Sequence, residues 1–373
     1  MRLGINGRFL GAPRGGVRRF AEGIAGGLVR ETDCVWLLPR GVFPGGVFPP
    51  GVETRTGRLR GHAWEQLELP GVARGAGCDV VLHLANTAPL RGGPHVATVH
   101  DVTPLTDPVW FRRRYAAWHR WGVAPALRRA RALLTVSAWS AAELRGALGV
   151  PADRVHVVDQ GAAPLDGPAA AAEVDAVRRR YRAGGRWLLA VGAGDPRKNV
   201  AFLAGVLERL GERLPGGAPS LVVVGRGGGG RVWARPPALS SIRGRIVPVG
   251  EVDDATLRAL YTGAEALCHP SLAEGFGRPP LEALACGTPV VTAPYDAARE
   301  VLGDAAEQVP LDPGAWAAAL ERVLRETAEA RARRIDRGRR QAASHRWEYG
   351  VARVLEVCRE VAGARVPVPG TTP

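Results

Sequence analysis

Lysine is almost absent. Of the 50 basic residues in this 373-residue chain, only Lys198 is a lysine and the other 49 are arginines. A sequence that has drifted so far towards arginine keeps a lysine where a compact, strongly hydrated ammonium does what a planar guanidinium does not, or keeps one by chance on a helix surface. Cysteine is scarce as well: Cys34, Cys78, Cys268, Cys286 and Cys358 are odd in number and far apart. They show no paired spacing, which argues against a disulfide framework or a zinc site and for a reducing cytoplasm. Nowhere do 18 uncharged apolar residues run together, so no membrane-spanning helix is expected. The opening MRLGINGRFL has no long apolar core and no small-residue cleavage site, and it reads as a first strand rather than a signal peptide. No Asp-x-Asp pair of the kind that holds a metal occurs, since Asp253 and Asp254 are adjacent in a polar turn, and metal independence is expected. A Walker-type phosphate loop and any recognised nucleic-acid-binding module are missing too.

What is present is globular. Apolar residues make up 46% and charged residues 23%, and the length suits two domains. The formal net charge is +14. Residues 1–165 hold 21 arginines against 12 acids and the remainder 29 basic residues against 24 acids, so the excess sits mostly in the first half. Such a balance favours anionic partners (phosphates, nucleic acid or an acidic membrane) without choosing between them.

Short apolar runs alternate with helical stretches, the pattern of α/β architecture with parallel sheets. In the first half the pattern predicts strands over 2–6, 34–38, 79–84, 96–100, 132–136 and 154–158, with helices near 16–30, 110–131 and 138–148. Residues 39–62 read as a long loop and 161–174 as a linker. The alternation then restarts, with strands over 187–192, 220–225, 246–249, 265–268 and 289–292. Helices are expected over 199–213, 253–262, 278–286, 296–302 and 313–328, followed by a helical tail over 329–362 and a frayed end. Two similar α/β halves place the natural ligand site in the cleft between them, at the carboxyl ends of strands.

Four motifs sit at such strand ends. Gly11-Ala-Pro-Arg-Gly15-Gly16-Val-Arg18 follows the first strand and opens a helix; bare glycines and free N–H groups there suit a phosphate, although the same residues suit a plain turn. The run ending in Val99-His100-Asp101 puts a His-Asp pair at a strand end, as a reactive group or as a satisfied structural pair. Gly192-Ala-Gly-Asp195-Pro-Arg197-Lys198-Asn199 puts two adjacent cations on a helix start, where the dipole disfavours them unless an anion is bound. The longest block, Cys268-His269-Pro-Ser271-Leu-Ala-Glu274-Gly275-Phe276-Gly277-Arg278-Pro-Pro-Leu-Glu282, sets two carboxylates eight positions apart around a glycine-rich loop. One carboxylate can face a reacting centre while the other accepts hydrogen bonds from hydroxyls. The loop N–H groups remain for a diphosphate.

On these residues, together with Thr135-Val-Ser137 and Ser140-Ala-Ala-Glu143-Leu, the chain resembles the family 4 retaining glycosyltransferases, mannosyl- and rhamnosyltransferase-like members among them. The pieces follow the family order over nearly the whole chain. The resemblance implies a GT-B fold, two Rossmann-like domains facing each other across a cleft: residues 1–165 on the acceptor side and 175–345 holding the nucleotide-sugar donor, with a helix over 346–362 returning to the first domain. It implies a hexosyltransferase that needs no cofactor and takes a nucleoside-diphosphate sugar as substrate, and the Arg-rich, Ala/Gly/Pro-heavy composition points to a GC-rich bacterial genome. By position, Glu282 would bind the ribose hydroxyls and Lys198 the diphosphate, with Arg197 standing in for an arginine that relatives carry where this chain has Ala193. Glu274 would sit by the transferred sugar, the N–H groups of Gly275, Phe276 and Gly277 near sugar or phosphate, and Gly16 near the diphosphate. His100 would line the reaction centre, with Asp101 and Arg18 on the acceptor side.

The acceptor is expected to be a glycan, a glycolipid or a small molecule. Residues 110–121 mix four arginines with five aromatics and no acid. They suit a peripheral anionic membrane surface or an anionic or aromatic acceptor, and equally an amphipathic helix that buries its aromatics. A GT-B-fold sugar-nucleotide epimerase or phosphorylase would use a similar site, and a basic nucleic-acid-binding protein is the reading from a different class.

Overall fold

The computed structural model describes residues 1–12, 15–43, 51–162, 165, 167–225, 232–233 and 246–363. The chain divides into two compact units. The first comprises Met1–Thr106, Ala116–Gln160 and Arg346–Pro373, and the second Asp107–Tyr115 and Gly161–His345. This division is less sequential than the expected 1–165, 175–345 and 346–362, because residues 107–115 belong with the second unit.

The first unit is built on a seven-stranded sheet of β1 (Arg2–Asn6), β2 (Asp33–Leu38), β3 (Glu53–Thr56), β4 (Val80–His83), β5 (His95–Thr98), β6 (Ala132–Thr135) and β7 (Val155–Val157). All are parallel, in the order β3-β2-β1-β4-β5-β6-β7. The second carries β8 (Trp187–Val191), β9 (Ser220–Val224), β10 (Ile246–Gly250), β11 (Ala266–His269), β12 (Val290–Thr292) and β13 (Glu307–Gln308), again parallel, in the order β10-β9-β8-β11-β12-β13. In their own count both orders run 3-2-1-4-5-6, with a seventh strand added at the end in the first unit, the doubly wound arrangement. The winding direction reverses between β1 and β4 and between β8 and β11, and ligands bind outside the carboxyl ends of strands at such a reversal. Strands covered on both faces read as continuous apolar runs, as in WLLAV of β8 and LVVV of β9, which are buried apart from their ends.

Local chemistry sets the helices. Ser137 caps Ala138–Leu148 by accepting from the Ser140 N–H at 3.0 Å, and Gly149 ends that helix in the left-handed region at φ 62°. Asp312 caps Pro313–Leu324 in the same way, accepting from the Ala315 N–H at 2.7 Å. The C-terminal helix Trp347–Gly363 lies against Gly16–Glu31 within the first unit. A Cβ at Gly27 would fall 2.3 Å from Val351 and one at Gly23 2.8 Å from Trp347, so two glycines make the groove that admits this helix.

Several elements differ from the sequence reading. β3 lies inside the expected 39–62 loop; its ETRT is largely exposed and charged, an edge strand with no apolar run to reveal it. Residues 61–75 are helical, with a π turn over Trp64–Glu68. The expected 110–131 helix is broken into Arg113–Trp118, a π turn over His119–Val123 and Ala124–Arg129, where Pro125 enters the first turn. The expected linker ends at 170, where the Ala170 N–H donates to Glu173 at 2.8 Å and Ala171–Tyr181 begins. The expected single tail is two helices, Ala328–Ser344 and Trp347–Gly363. The frayed end, 364–373, lies outside the described residues.

Candidate active site

In the second unit the residues after β8 and β11 meet at the sheet's winding reversal. Gly192 follows β8 at φ 104°, and a Cβ there would lie 3.0 Å from Lys198 Cγ, so the bare backbone lets the lysine stem lie across it. Asp195 starts a tight turn over Pro196–Lys198, accepting from the Arg197 N–H at 2.9 Å, and Asn199 closes it in the left-handed region. The turn directs Lys198 Nζ to the Glu274 carboxylate, with which it forms an ion pair. Ser271 Oγ stands 2.7 Å from Glu274 Oε1 and His269 Nε2 3.3 Å from it. The Leu272 N–H donates to the Arg197 carbonyl at 2.8 Å and ties the two loops together.

Burial by itself would raise the Glu274 carboxyl, but the Lys198 ammonium and the His269 contact outweigh it and hold the group well below the usual carboxylate range. His269 is pushed down, first by burial. Tyr295, 5.7 Å from His269 by ring centroids, is pushed well up by burial and by the Glu274 charge. The site therefore holds one fixed anion and one fixed cation with a neutral imidazole behind them.

The glycine-rich loop leads into the helix Arg278–Ala285, with Gly277 at φ 90° as its N-cap. A Cβ at Gly277 would fall 1.9 Å from the Tyr295 hydroxyl oxygen. Phe276 is buried edge-on against His345 at 5.5 Å. Glu282, 4% exposed, is engaged by its own surroundings: Arg278 Nη2 donates to Oε1 at 3.0 Å and the Tyr261 hydroxyl to Oε2 at 3.1 Å. Arg197, expected at a diphosphate, forks onto Asp195 with its closest contact at 2.8 Å.

The remaining sequence-predicted residues lie in the first unit. Gly16 opens the helix Gly16–Glu31 behind Gly15. Arg18 donates to Glu22 and to the Ala12 carbonyl, each at 2.8 Å. The His100 N–H donates to Asn86 Oδ1 at 2.8 Å, its Nε2 lies 3.2 Å from the Leu84 carbonyl, and its ring stands edge-on to Phe20 at 4.7 Å. Asp101 Oδ1 accepts from the Thr103 N–H at 3.2 Å.

Nothing in the sequence reading pointed to a buried cluster beyond β1 and β4. Glu65, fully buried, accepts from Asn6 Nδ2 at 2.9 Å, Thr87 Oγ1 at 2.9 Å and Arg8 Nε at 3.2 Å. Burial would raise its pKa, but His62, Arg8, His83 and Thr87 bring it down to about 2. His83 bridges Asn6 and His95 at 3.1 Å each, and burial lowers it to about 3. Among the described residues no group of three or more His, Cys, Asp or Glu side chains is arranged to hold a metal ion, and no helix is long and apolar enough to cross a membrane.

Two doubly wound parallel sheets of this order are those of a GT-B glycosyltransferase fold. It is shared with the crystal structure of WaaG, a glycosyltransferase involved in lipopolysaccharide biosynthesis, at TM-score 0.70 and 18% identity over 98% of this chain and 100% of that one. Anabaena HepE in complex with UDP and glucose matches at TM-score 0.68 and 17% identity, over 98% of this chain and 100% of that one. Family models described as Glycosyltransferase Family 4 and Glycosyl transferases group 1 match residues 14–164 and 177–341. O-antigen chain mannosyltransferase B of Escherichia coli is 30% identical over 72% of this chain and 71% of its own length. A phosphatidyl-myo-inositol mannosyltransferase of Mycolicibacterium smegmatis is 35% identical over 50% of this chain, which spans about half (48%) of that relative. The chain belongs to glycosyltransferase family 4 and is a glycosyltransferase.

Proposed function

We propose that the protein transfers a hexosyl group, with retention at the anomeric carbon and without a metal ion, from a nucleoside-diphosphate sugar to an acceptor hydroxyl. The observation that carries this reading is the Lys198–Glu274 pair at the carboxyl ends of β8 and β11. Breaking the anomeric C–O bond sends its electron pair to the departing diphosphate and leaves an oxocarbenium-like carbon. The ammonium of Lys198 and the N–H groups of Gly275, Phe276 and Gly277 stabilise the charge that grows on the phosphate. Glu274, kept ionised, accepts from sugar hydroxyls or meets the electron-poor carbon. The acceptor oxygen bonds to that carbon and its proton passes to the departed phosphate on the same face of the sugar; if Glu274 first forms a covalent intermediate, the acceptor displaces it and Glu274 leaves as the carboxylate. Glu282 receives the ribose hydroxyls by exchanging Tyr261 or Arg278 for them.

The names of the mannosyltransferase relatives favour a mannosyl donor. A thermal-shift series with GDP, UDP, dTDP and ADP identifies the base, since only a ligand of the folded state raises the melting point. Release of nucleoside diphosphate only when an acceptor is present supports transfer; release without one returns the epimerase or phosphorylase reading. Turnover that survives EDTA supports the metal-free mechanism, and recovery on adding Mn²⁺ overturns it. An acceptor at an anionic membrane surface suits Trp118 and Trp121, 39% and 73% exposed, with Arg120 over the Trp121 ring at 5.4 Å. Sedimentation with anionic vesicles at low salt tests this, and no pelleting removes it. No nucleic-acid partner and no cofactor enter this reading.

A further inference from the structure

Arg197 is built into its surroundings by both edge and face. Its Nε lies 3.2 Å from each Asp195 carboxylate oxygen and its Nη2 2.8 Å from Oδ2. The guanidinium carbon lies 5.8 Å from the Phe111 ring centroid and 5.1 Å from that of Trp233. Phe111 comes from the 107–115 segment, which belongs to the second unit although the chain on either side of it belongs to the first. An antiparallel bridge pairs Phe111 with Trp233. The Arg112 N–H donates to the Val232 carbonyl at 2.9 Å and Arg112 Nε to the Trp233 carbonyl at 3.2 Å. Behind Phe111, Tyr115 stacks at 5.5 Å and 15°.

The backbone of Arg197 faces the other way, into the site. Its carbonyl accepts from the Leu272 N–H at 2.8 Å and lies 3.2 Å from Ser271 Oγ, the hydroxyl that also stands 2.7 Å from Glu274 Oε1. The Ser271 hydroxyl thus lies within hydrogen-bond reach of the Glu274 carboxylate, the Arg197 carbonyl and, at 3.4 Å, the Ala273 carbonyl. The next residue in the chain is Lys198, so any rotation of Arg197 twists the peptide that carries the ammonium.

We propose that Arg197 is a positioning residue, clamped by the Asp195 carboxylate and the Phe111–Trp233 ring pair, that sets the placement of Lys198 against Glu274. The 107–115 segment is thereby part of the donor machinery. A flat fork that bonds along its edge to Asp195 while a pair of aromatic rings, 5.1 Å apart by centroids, lies against it is a task that a lysine cannot take over. The proposal rests on the reading of Lys198 and Glu274 as the charge-bearing pair.

Because Lys198 is the single lysine, full-length protein labelled with [15N]lysine gives one backbone amide signal and one ammonium signal, and both report this turn. In Phe111→Ala and in Arg197→Gln, which adds no second lysine, both signals move and the ammonium protons exchange faster with water; in Phe111→Tyr, which keeps the stack, they stay in place. With a nucleoside-diphosphate sugar, kcat falls roughly 10–100-fold in the first two variants, the scale set by a misplacement of about 1 Å. The Kd for the free nucleoside diphosphate changes less than about threefold. Arg197→Gln decides the matter if Phe111→Ala does not fold. Unmoved Lys198 signals in a folded variant overturn the clamp. So does an Arg197→Gln that loses diphosphate affinity as steeply as turnover while Phe111→Ala is silent, since Arg197 is then a direct ligand. The spectra need no donor. A wild type that turns over no sugar nucleotide therefore refutes the functional reading and leaves the clamp still decidable.

Discussion

At the scale of single residues, charge placement decides the chemistry. Lys198→Ala is expected to lower kcat by about 10²–10³-fold, the cost of removing one donor to a developing oxyanion, and to weaken donor binding. Lys198→Arg is not expected to restore it, because the guanidinium is larger and flat where Gly192 admits a narrow stem. Unchanged steady-state kinetics in Lys198→Ala would refute the assignment. Glu274 has a depressed pKa in the folded protein, so its stabilising interaction is complete above the ordinary carboxyl value of 4.5 and is lost as pH falls through the lower folded value. The kcat profile of the wild type is therefore expected to show no acidic limb from Glu274 near pH 4.5; a limb there that disappears in Glu274→Gln would contradict the ion pair. Lys198 and Glu274 were legible in the sequence because composition singled out one and glycine spacing the other. Ser271 and His269 were not, since a serine and a histidine beside a strand end carry no signal until the fold brings Glu274 back to them. Nor was the fork of Arg197 onto Asp195 legible, for two charges two residues apart pair only if the turn is tight.

At the scale of elements, apolar runs announced the strands and glycines the turns, whereas short polar elements stayed hidden. β1, β8 and β9 read clearly because both faces are covered. β3 and β13 did not, being edge strands of two to four residues with charged or polar side chains. The helical pattern over 110–131 gave the content but missed the π turn, which depends on how Trp118 packs over Gly122 rather than on local propensity. The loop before Arg278–Ala285 carries the sharpest expectation at this scale. Gly277→Ala puts a methyl into the Tyr295 ring at a left-handed backbone position, and strain of that kind costs about 1–3 kcal/mol before any clash is counted. A lower melting temperature with a collapsed kcat is expected. Gly277→Ala with wild-type melting and turnover would show that the loop tolerates a Cβ there.

At the scale of the whole molecule, buried ionisable groups tie stability to pH. His83 titrates near about 3 when folded against 6.5 when unfolded, and Glu65 near about 2 against 4.5. Between each pair of values only the unfolded chain binds the proton, so stability falls as pH falls, from pH 6.5 downwards for His83 and from 4.5 downwards for Glu65. The melting temperature is expected to drop between pH 7 and 4, with a shallower slope in His83→Gln; equal slopes would sink this account. Two α/β halves were legible from the restarted alternation, but which segment joins which unit was not, because that depends on contacts such as Phe111 with Trp233. The borrowed segment and the returning helix have a practical consequence. The polypeptide passes from one unit to the other after Thr106, Tyr115, Gln160 and His345. Cutting it near residue 165 thus yields no autonomous half: one piece is left without the helix that fills the Gly23–Gly27 groove, the other without Phe111, one of the two aromatic side chains against Arg197. Such pieces should reach a soluble, active form only when co-expressed and reassembled.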